Sequence, residues 1–209
     1  ERIVQEIEPF FYSKTIERLY DKGKLRLEKD AGFVYQALEL AKDKEHVMEF
    51  SVIRHLEALF ALIRKGVERI VEYNEHNPDL PLEESSITNF IKKWTFMAMN
   101  WSFVGDLKLA KRSDYYQELI NGQGSTIRNM LDLPQTGDNL TLIDYGVDIK
   151  TGQWMLWKDQ VKDEDVDQNQ VTSADTIIPT VDTMRHKEVL CSWLLEKRPF
   201  IICGPPGSG

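Results

Sequence analysis

The sequence predicts a mostly α-helical fold followed by a β-hairpin and by the first helix and strand of an α/β unit. Three observations lead to this fold class. Apolar residues recur every three or four positions over most of residues 1–131. Two short runs of strand formers, separated by a turn, follow over residues 140–157. The last ten residues then join an apolar run to a glycine-rich segment.

The composition restricts the class of partner. The 209 residues are 42% hydrophobic and carry a formal net charge of -8, which argues against nucleic acid because binding to phosphate backbones requires a basic surface. No stretch approaches the roughly 18 apolar residues that span a bilayer. The chain starts at Glu1 without an initiator methionine or a signal peptide, so we expect it to begin inside a longer protein.

Two helices stand out by their apolar periodicity. The first covers about residues 49–74, ends in a turn with two prolines, and has an apolar stripe formed by Val52, Leu56, Leu59, Phe60, Ile63, Val67, Ile70 and Val71. Ser85 and Ser86 can cap the second. Its shared face is predicted to carry Ile87, Phe90, Ile91, Trp94, Met97, Ala98 and Trp101.

A hairpin and an acidic segment follow the helices. Residues 140–147 and 154–157 are predicted to be paired strands, with residues 149–152 as the turn. Residues 159–170 contain five carboxylates and one lysine, a composition typical of an exposed linker. Binding of a cation by the acidic residues 163–167 is the alternative.

The end of the chain combines a capped helix, a strand and a loop. Asp182 and Thr183 can cap a helix whose apolar face contains Val189, Leu190, Trp193 and Leu194, and Pro199 ends that helix. Residues 200–203 are uniformly apolar, which predicts a fully buried strand. The two cysteines, Cys191 and Cys203, are flanked by apolar residues, and buried free thiols of a reducing compartment are favoured over a disulfide.

Residues 204–209 match the first part of a phosphate-binding loop. Such a loop has Gly, four residues, Gly, Lys and Ser or Thr, and it follows a buried strand. Its backbone N–H groups converge on phosphates, and glycine permits the required backbone angles. Gly204 and Gly209 have the correct spacing, and the chain ends just before the lysine position. A flexible Pro/Gly/Ser tail is the alternative.

Residues 177–186 and 200–209 closely resemble the opening of the third AAA+ module of cytoplasmic dynein heavy chains. Residues 45–50 and 101–109 resemble the small subdomain of the second module of that family. Ile143-Asp144-Tyr145, followed by Gly152, Trp154 and Trp157, resembles the hairpin between the two modules. The resemblance covers nearly the whole chain in the order of the family.

The resemblance implies a particular domain organisation. Residues 1–133 would form the helical AAA+ small (lid) subdomain of the second module, and residues 134–175 a β-hairpin and acidic linker. Residues 176–209 would begin the α/β P-loop large subdomain of the third module. The parent protein would be an ATP-driven, minus-end-directed microtubule motor, cytoplasmic and associated with the cytoskeleton. Its partners would be neighbouring AAA+ modules, the microtubule and dynein accessory chains, with no nucleic acid and no membrane.

The resemblance also implies binding residues for ATP or ADP with Mg²⁺. Gly204, Gly207, Ser208 and Gly209 would offer backbone amides to the β-phosphate, and Pro205 and Pro206 would belong to the same ATP-binding loop. Ile178, Pro179 and Thr180 would border the adenine. Lys108 could be a sensor that contacts the nucleotide of the preceding module, where a cation stabilises γ-phosphate charge. A solvated helix face formed with Lys111 and Arg112 is the alternative for Lys108.

The chain by itself is expected to be inactive. Phosphoryl transfer requires the P-loop lysine, ligands for Mg²⁺ and a group that orients water, so we expect no catalytic residue and no metal ligand within these residues. Residues after about Asp175 should fold poorly without the rest of their module. Three alternatives remain open, namely another P-loop AAA+ NTPase with a helical lid, a non-enzymatic helical scaffold with a disordered Gly/Pro tail, and an axonemal dynein.

Overall fold

The computed structural model describes residues 2–11, 32–122, 125–134, 142–161, 179–197 and 199–204. Eight α-helices, one 3-10 turn and two strands occur in these ranges. They are α1 (Arg2–Phe11), α2 (Phe33–Lys42), α3 (Val52–His76), α4 (Glu84–Val104), α5 (Leu109–Gly122), α6 (Ser125–Leu131), the 3-10 turn (Leu142–Asp144), β1 (Tyr145–Val147), β2 (Trp154–Leu156), α7 (Trp157–Gln160) and α8 (Val181–Leu195). We call α1–α6 the helical block. The mostly α-helical fold with a short hairpin is thereby confirmed.

The long helices α3 and α4 pack against each other and organise the block. Ser51 precedes α3, and its hydroxyl accepts a hydrogen bond from the amide of Arg54, which satisfies a free donor of the first turn. The predicted stripe on α4 is only part of what this helix buries. Phe96, Met99 and Phe103 lie off the stripe and are also buried. The reason is that α1, α2, α3 and the hairpin surround α4, so it is the central helix of the block.

Aromatic contacts join the shorter helices to this centre. Phe33 of α2 meets Phe10 of α1 edge-on at 6.1 Å between ring centroids and stacks on Phe96 of α4 at 6.0 Å. The buried hydroxyl of Tyr115 on α5 donates to the carbonyl of Ala37 on α2 at 2.8 Å. The block is therefore held around one continuous core.

The hairpin is shorter than predicted and is docked on α4. Strands β1 and β2 are antiparallel, with Gly146 opposite Met155, whereas the residues just before β1 form the 3-10 turn. Gly152 has φ +64°, and an added Cβ would lie 2.5 Å from the carbonyl oxygen of Ser86, so the turn requires glycine. The indole N–H of Trp154 donates to the carbonyl of Leu131 at 3.0 Å. The hairpin is thus part of the core packing.

The last described residues differ from two predictions. Residues 199–204 do not pair as a strand, and Ile201 and Ile202 are 69% and 73% exposed, so the buried strand expected there is not formed within the described ranges. A fully buried strand needs neighbours in a sheet, and the two described strands pair only with each other. Both cysteines are free, as predicted, but Cys191 and Cys203 are exposed. The prediction that they are buried is wrong, because Cys191 lies on the outer face of α8 and Cys203 in the unpaired segment.

Helix α8 is packed against the block, contrary to the expectation that residues after about Asp175 fold poorly without their module. Val189 on its inner face is 2% exposed and belongs to the main core. Leu194, predicted on that same face, is exposed. No helix in the described ranges is long and apolar enough to cross a membrane.

Candidate site at the junction of α8 with the helical block

The first turn of α8 is fixed by a reciprocal cap. The hydroxyl of Thr180 accepts from the amide of Thr183 at 3.2 Å, and the hydroxyl of Thr183 accepts from the amide of Thr180 at 2.7 Å. Two of the four free N–H groups at this helix start are thereby satisfied. The helix starts two residues earlier than the cap predicted at Asp182 and Thr183. Pro179 and Thr180, two of the predicted adenine-bordering residues, therefore adjoin a rigid turn.

Arg185 is a buried cation one turn into α8. It is 5% exposed, and its guanidinium pairs with Asp182 in the first turn of the same helix. A second carboxylate, Asp144 of the 3-10 turn, lies 3.8 Å from Nη1. The buried Nε of Arg185 has no hydrogen-bond partner in the described part of the chain. Arg185 thus pairs with a carboxylate in the first turn of its own helix and with Asp144, the residue that leads into the hairpin.

The guanidinium of Arg112, at the start of α5, is held by two backbone carbonyls and an aromatic ring. Its Nε donates to the carbonyl of Leu107 at 2.8 Å, and its Nη2 donates to the carbonyl of Gly105. The guanidinium lies over the ring of Trp101, 5.1 Å from the centroid. Burial lowers the pKa of Arg112, and neighbouring Arg185 adds to that shift. In this arrangement Arg112 stabilises the end of α4, where cations are favourable.

His186 of α8 contacts Trp101 of α4 at the junction. Its ring meets Trp101 edge-on at 5.5 Å between centroids. Burial is the largest cause of a lowered pKa for His186, followed by the positive charges of Arg185 and Arg112. The neutral imidazole is therefore favoured here, because protonation would place another charge beside two guanidinium groups.

Lys108 lies in the turn between α4 and α5, and its side chain is exposed. The backbone on either side is anchored. The carboxylate of Asp106 lies 2.8 Å from Nδ1 of His46 and accepts from the amide of Val47 at 3.2 Å. The carbonyl of Lys108 accepts from the amide of Arg112 at 3.0 Å. The structure thus presents an exposed ammonium from a fixed turn, an arrangement that agrees with a solvated side chain and also with a sensor.

A second set of contacts joins α8 to α3. The guanidinium of Arg69 pairs with Glu188, and Nη1 of Arg64 lies 2.5 Å from Oε2 of Glu196. The indole N–H of Trp193 donates to the carbonyl of Ala58 at 3.3 Å. These contacts and the buried Val189 hold α8 along its length.

The predicted site residues are only partly within the described ranges. Pro179, Thr180, Lys108 and an exposed Gly204 are described, whereas Ile178 and residues 205–209 lie outside. The acidic residues 163–167 also lie outside, and the described ranges contain no group of three or more potential metal ligands. Sequence reasoning missed the junction formed by Arg185, Asp144 and Trp101. The available signal was the spacing of Asp182 and Arg185, which places opposite charges on one helical face.

The structure thus combines a helical block with a docked hairpin and a capped helix packed against both. A sequence model described as "Dynein heavy chain AAA lid domain" matches residues 28–159. Because that match covers more than half of the chain, the chain belongs to the dynein heavy chain family.

Individual relatives agree with the family. The chain is 44% identical over 186 residues to "Dynein heavy chain, cytoplasmic" of Paramecium tetraurelia, covering 88% of this chain and 4% of the relative. It is 38% identical over 180 residues to the protein of that name from Fusarium vanettenii, and 35% over 178 residues to that from Dictyostelium discoideum. These two alignments cover 86% and 85% of this chain, and again 4% of each relative. The chain thus spans about 4% of the length of the relatives it matches.

Proposed function

We propose that the chain joins two nucleotide-binding modules of a cytoplasmic dynein heavy chain. In this proposal residues 1–133 form the lid of the second AAA+ module, residues 134–175 connect it to the third, and residues 176–209 begin the third module. The observation that carries the proposal is the docking of α8 in a chain of this family, through the contact of Glu188 with α3 of the helical block and of Arg185 with the 3-10 turn before the hairpin. A change at the nucleotide of one module would reach the other through these contacts.

The proposed nucleotide site uses the capped turn and the glycine-rich loop. Pro179 and Thr180, with Ile178 before them, border the adenine of ATP or ADP. Residues 204–209 surround the phosphates, and Mg²⁺ is held by residues of the complete module. The capped turn supports this role because its amides are already fixed by hydrogen bonds, which lowers the entropic cost of ordering on binding.

The parent protein, in this proposal, is an ATP-driven motor that moves toward the minus end of microtubules in the cytoplasm. Its partners are the other AAA+ modules, the microtubule and the accessory chains. The names of the relatives and the charge of -8, which disfavours nucleic acid, support this proposal. The 209-residue chain by itself neither hydrolyses ATP nor binds it tightly.

A charge placed in the glycine-rich loop tests the proposed site. The chain is extended in its natural sequence through the third module, and binding of a fluorescent ATP analogue is titrated. Ser208→Asp should abolish binding, because it places a carboxylate against the phosphates. Ser85→Asp, at an exposed position near the start of α4, is the matched control and should bind like the unsubstituted protein. Equal binding by both variants would contradict the assignment of residues 204–209.

The role of Lys108 is tested separately. We propose that its exposed ammonium reaches the nucleotide of the second module, because the fixed turn presents it while Arg112 is held by backbone carbonyls. Lys108→Ala should weaken ATP binding at that module in the full-length protein. Lys111→Ala, at an exposed lysine that pairs with Asp114 at 3.7 Å, serves as the control. If both substitutions leave the affinity unchanged, Lys108 belongs to a solvated helix face.

A further inference from the structure

The guanidinium of Arg185 is a charged group in a buried position, where loss of water destabilises a charge. Its side chain is 6% exposed, and burial of a guanidinium is tolerated only when carboxylates and hydrogen bonds offset the loss of water. Asp182 and Asp144 supply the nearby negative charge. Arg112 is a second, half-buried cation nearby, and the positive charge of Arg185 adds to the burial that lowers the pKa of Arg112. The position of Arg185 therefore depends on both carboxylates.

The two carboxylates belong to different parts of the fold. Asp182 lies in the first turn of α8, two residues after the capping residue Thr180. Asp144 ends the 3-10 turn and leads directly into β1. Arg185 consequently connects the start of α8 to the start of the hairpin.

The hairpin is in turn fixed on the helical block. The ammonium of Lys93 on α4 donates to the side-chain oxygen of Gln153 at 2.8 Å, just before β2. Trp154 packs edge-on against Phe96 at 6.5 Å between centroids. A displacement of the hairpin relative to α4 would therefore displace Asp144, and through Arg185 the first turn of α8.

We propose that Arg185 is a positioning residue that sets the turn formed by Pro179 and Thr180 against the helical block. The inference rests on the proposed function of that turn as the border of the adenine. Nucleotide bound at the turn and the docking of the hairpin on the block are then linked, and each stabilises the other to the same extent. Arg185 acts through Asp182 and does not itself contact the nucleotide.

The experiment uses the full-length heavy chain and photolabelling with 8-azido-ATP. Trypsin releases residues 163–185 as one peptide, which contains the whole adenine border, and the labelled fraction is measured by mass spectrometry against nucleotide concentration. Arg185→Gln, whose peptide ends at Lys187, should raise the half-saturating concentration about tenfold, within the usual range of coupling between sites. Arg185→Lys should give an intermediate increase, because an ammonium cannot engage two carboxylates in the fork geometry of arginine.

Asp144→Asn identifies the path of the effect. It should also raise the half-saturating concentration, and the double variant with Arg185→Gln should resemble the stronger single variant, because both remove one connection. Arg128→Gln is the matched control, since this exposed arginine of α6 lies outside the junction. It should label like the unsubstituted chain.

The outcomes separate the inference from the function on which it rests. Absence of ATP-suppressible labelling of residues 163–185 in the unsubstituted chain would reject the proposed adenine border. Suppressible labelling that Arg185→Gln and Asp144→Asn leave unchanged would overturn the positioning role alone. Independent, additive losses in the double variant would also overturn it. Hydrogen exchange in α3 identifies a variant that has lost its fold, and Arg185→Lys then decides the result.

Discussion

The indole ring of Trp94 lies directly on the backbone of Gly66, where α4 crosses α3. A Cβ added at Gly66 would overlap atoms Cδ1 and Nε1 of that ring. Trp94 is 1% exposed, and its N–H donates to the carbonyl of Leu62 at 2.7 Å. The ring therefore cannot move aside without losing both its packing and its hydrogen bond.

Gly66→Ala should consequently destabilise the chain. Alanine is favoured over glycine in a helix by about 1 kcal/mol, but overpacking a rigid core typically costs about 1–3 kcal/mol, so the steric effect should exceed the gain. Urea unfolding followed by circular dichroism measures the change. Gly122→Ala is the control, because nothing lies within 4 Å of an added Cβ there. A Gly66→Ala variant as stable as the unsubstituted chain would show that the two helices can separate freely.

The stability of the chain should decrease below about pH 6.5. Burial is the main cause that lowers the pKa of His55 from its ordinary value of 6.5, and nearby Arg54 and His46 lower it further. The backbone hydrogen bond to Ser51 and the charge of Asp106 oppose this shift. In the folded chain the imidazole stays neutral when the unfolded chain is already protonated. Stability is therefore complete above pH 6.5 and is lost as the pH falls toward the folded pKa.

Urea unfolding at pH 7.5 and 5.5 measures this dependence. His55→Gln should reduce the loss of unfolding free energy between pH 7.5 and pH 5.5. His76→Gln, at an exposed histidine, should leave that loss unchanged. His186 contributes in the same direction, since burial and the neighbouring arginines also lower its pKa. If the variant lacking both His55 and His186 keeps the same pH dependence, other groups cause the loss of stability at low pH.

The pair formed by Arg69 and Glu188 should stabilise the docking of α8 specifically. Arg69 lies over the ring of Trp94, 5.0 Å from its centroid, so its position is set by the core and Glu188 binds to a preorganised partner. Glu188→Ala should cost about 1 kcal/mol, the upper end for an ion pair in contact with solvent. Amide hydrogen exchange in residues 184–195 should then accelerate about fivefold, with exchange in α3 unchanged.

Asp114→Ala is the matched control for that substitution. It removes an exposed pair with Lys111 on α5, where the two side chains are more than 60% accessible. Exchange in α8 should remain as in the unsubstituted chain. Uniform acceleration across all helices in Glu188→Ala would mean that α8 does not open separately from the block.

Both cysteines should react in the folded chain. Cys191 and Cys203 are free and exposed, so a thiol reagent such as 5,5′-dithiobis(2-nitrobenzoate) should modify two equivalents without denaturant. Cys191→Ser and Cys203→Ser should each reduce this to one. Modification that requires urea would place the thiols in the core instead.

The structure shows which features local sequence can predict. The sequence predicts helix α3 over about residues 49–74 and it spans Val52–His76, because its apolar period and the turn that ends it are local signals. The hairpin was likewise predicted from strand formers on both sides of a turn. The burial of α4 on all its faces is not predicted from the sequence, because it depends on which elements surround the helix. The pairing of Arg185 with Asp144 joins residues 41 positions apart in the sequence, and no local pattern contains it.

The exposed segment formed by residues 199–204 has a consequence for handling the protein. Ile201 and Ile202 are consecutive apolar, β-branched residues with strongly accessible side chains and backbone that is not paired in a sheet. Such segments pair with copies of themselves and promote aggregation. Concentrated solutions of the chain are therefore expected to aggregate through this segment. A charged residue at Ile201, introduced as Ile201→Lys, should keep the chain monodisperse without disturbing its folded part.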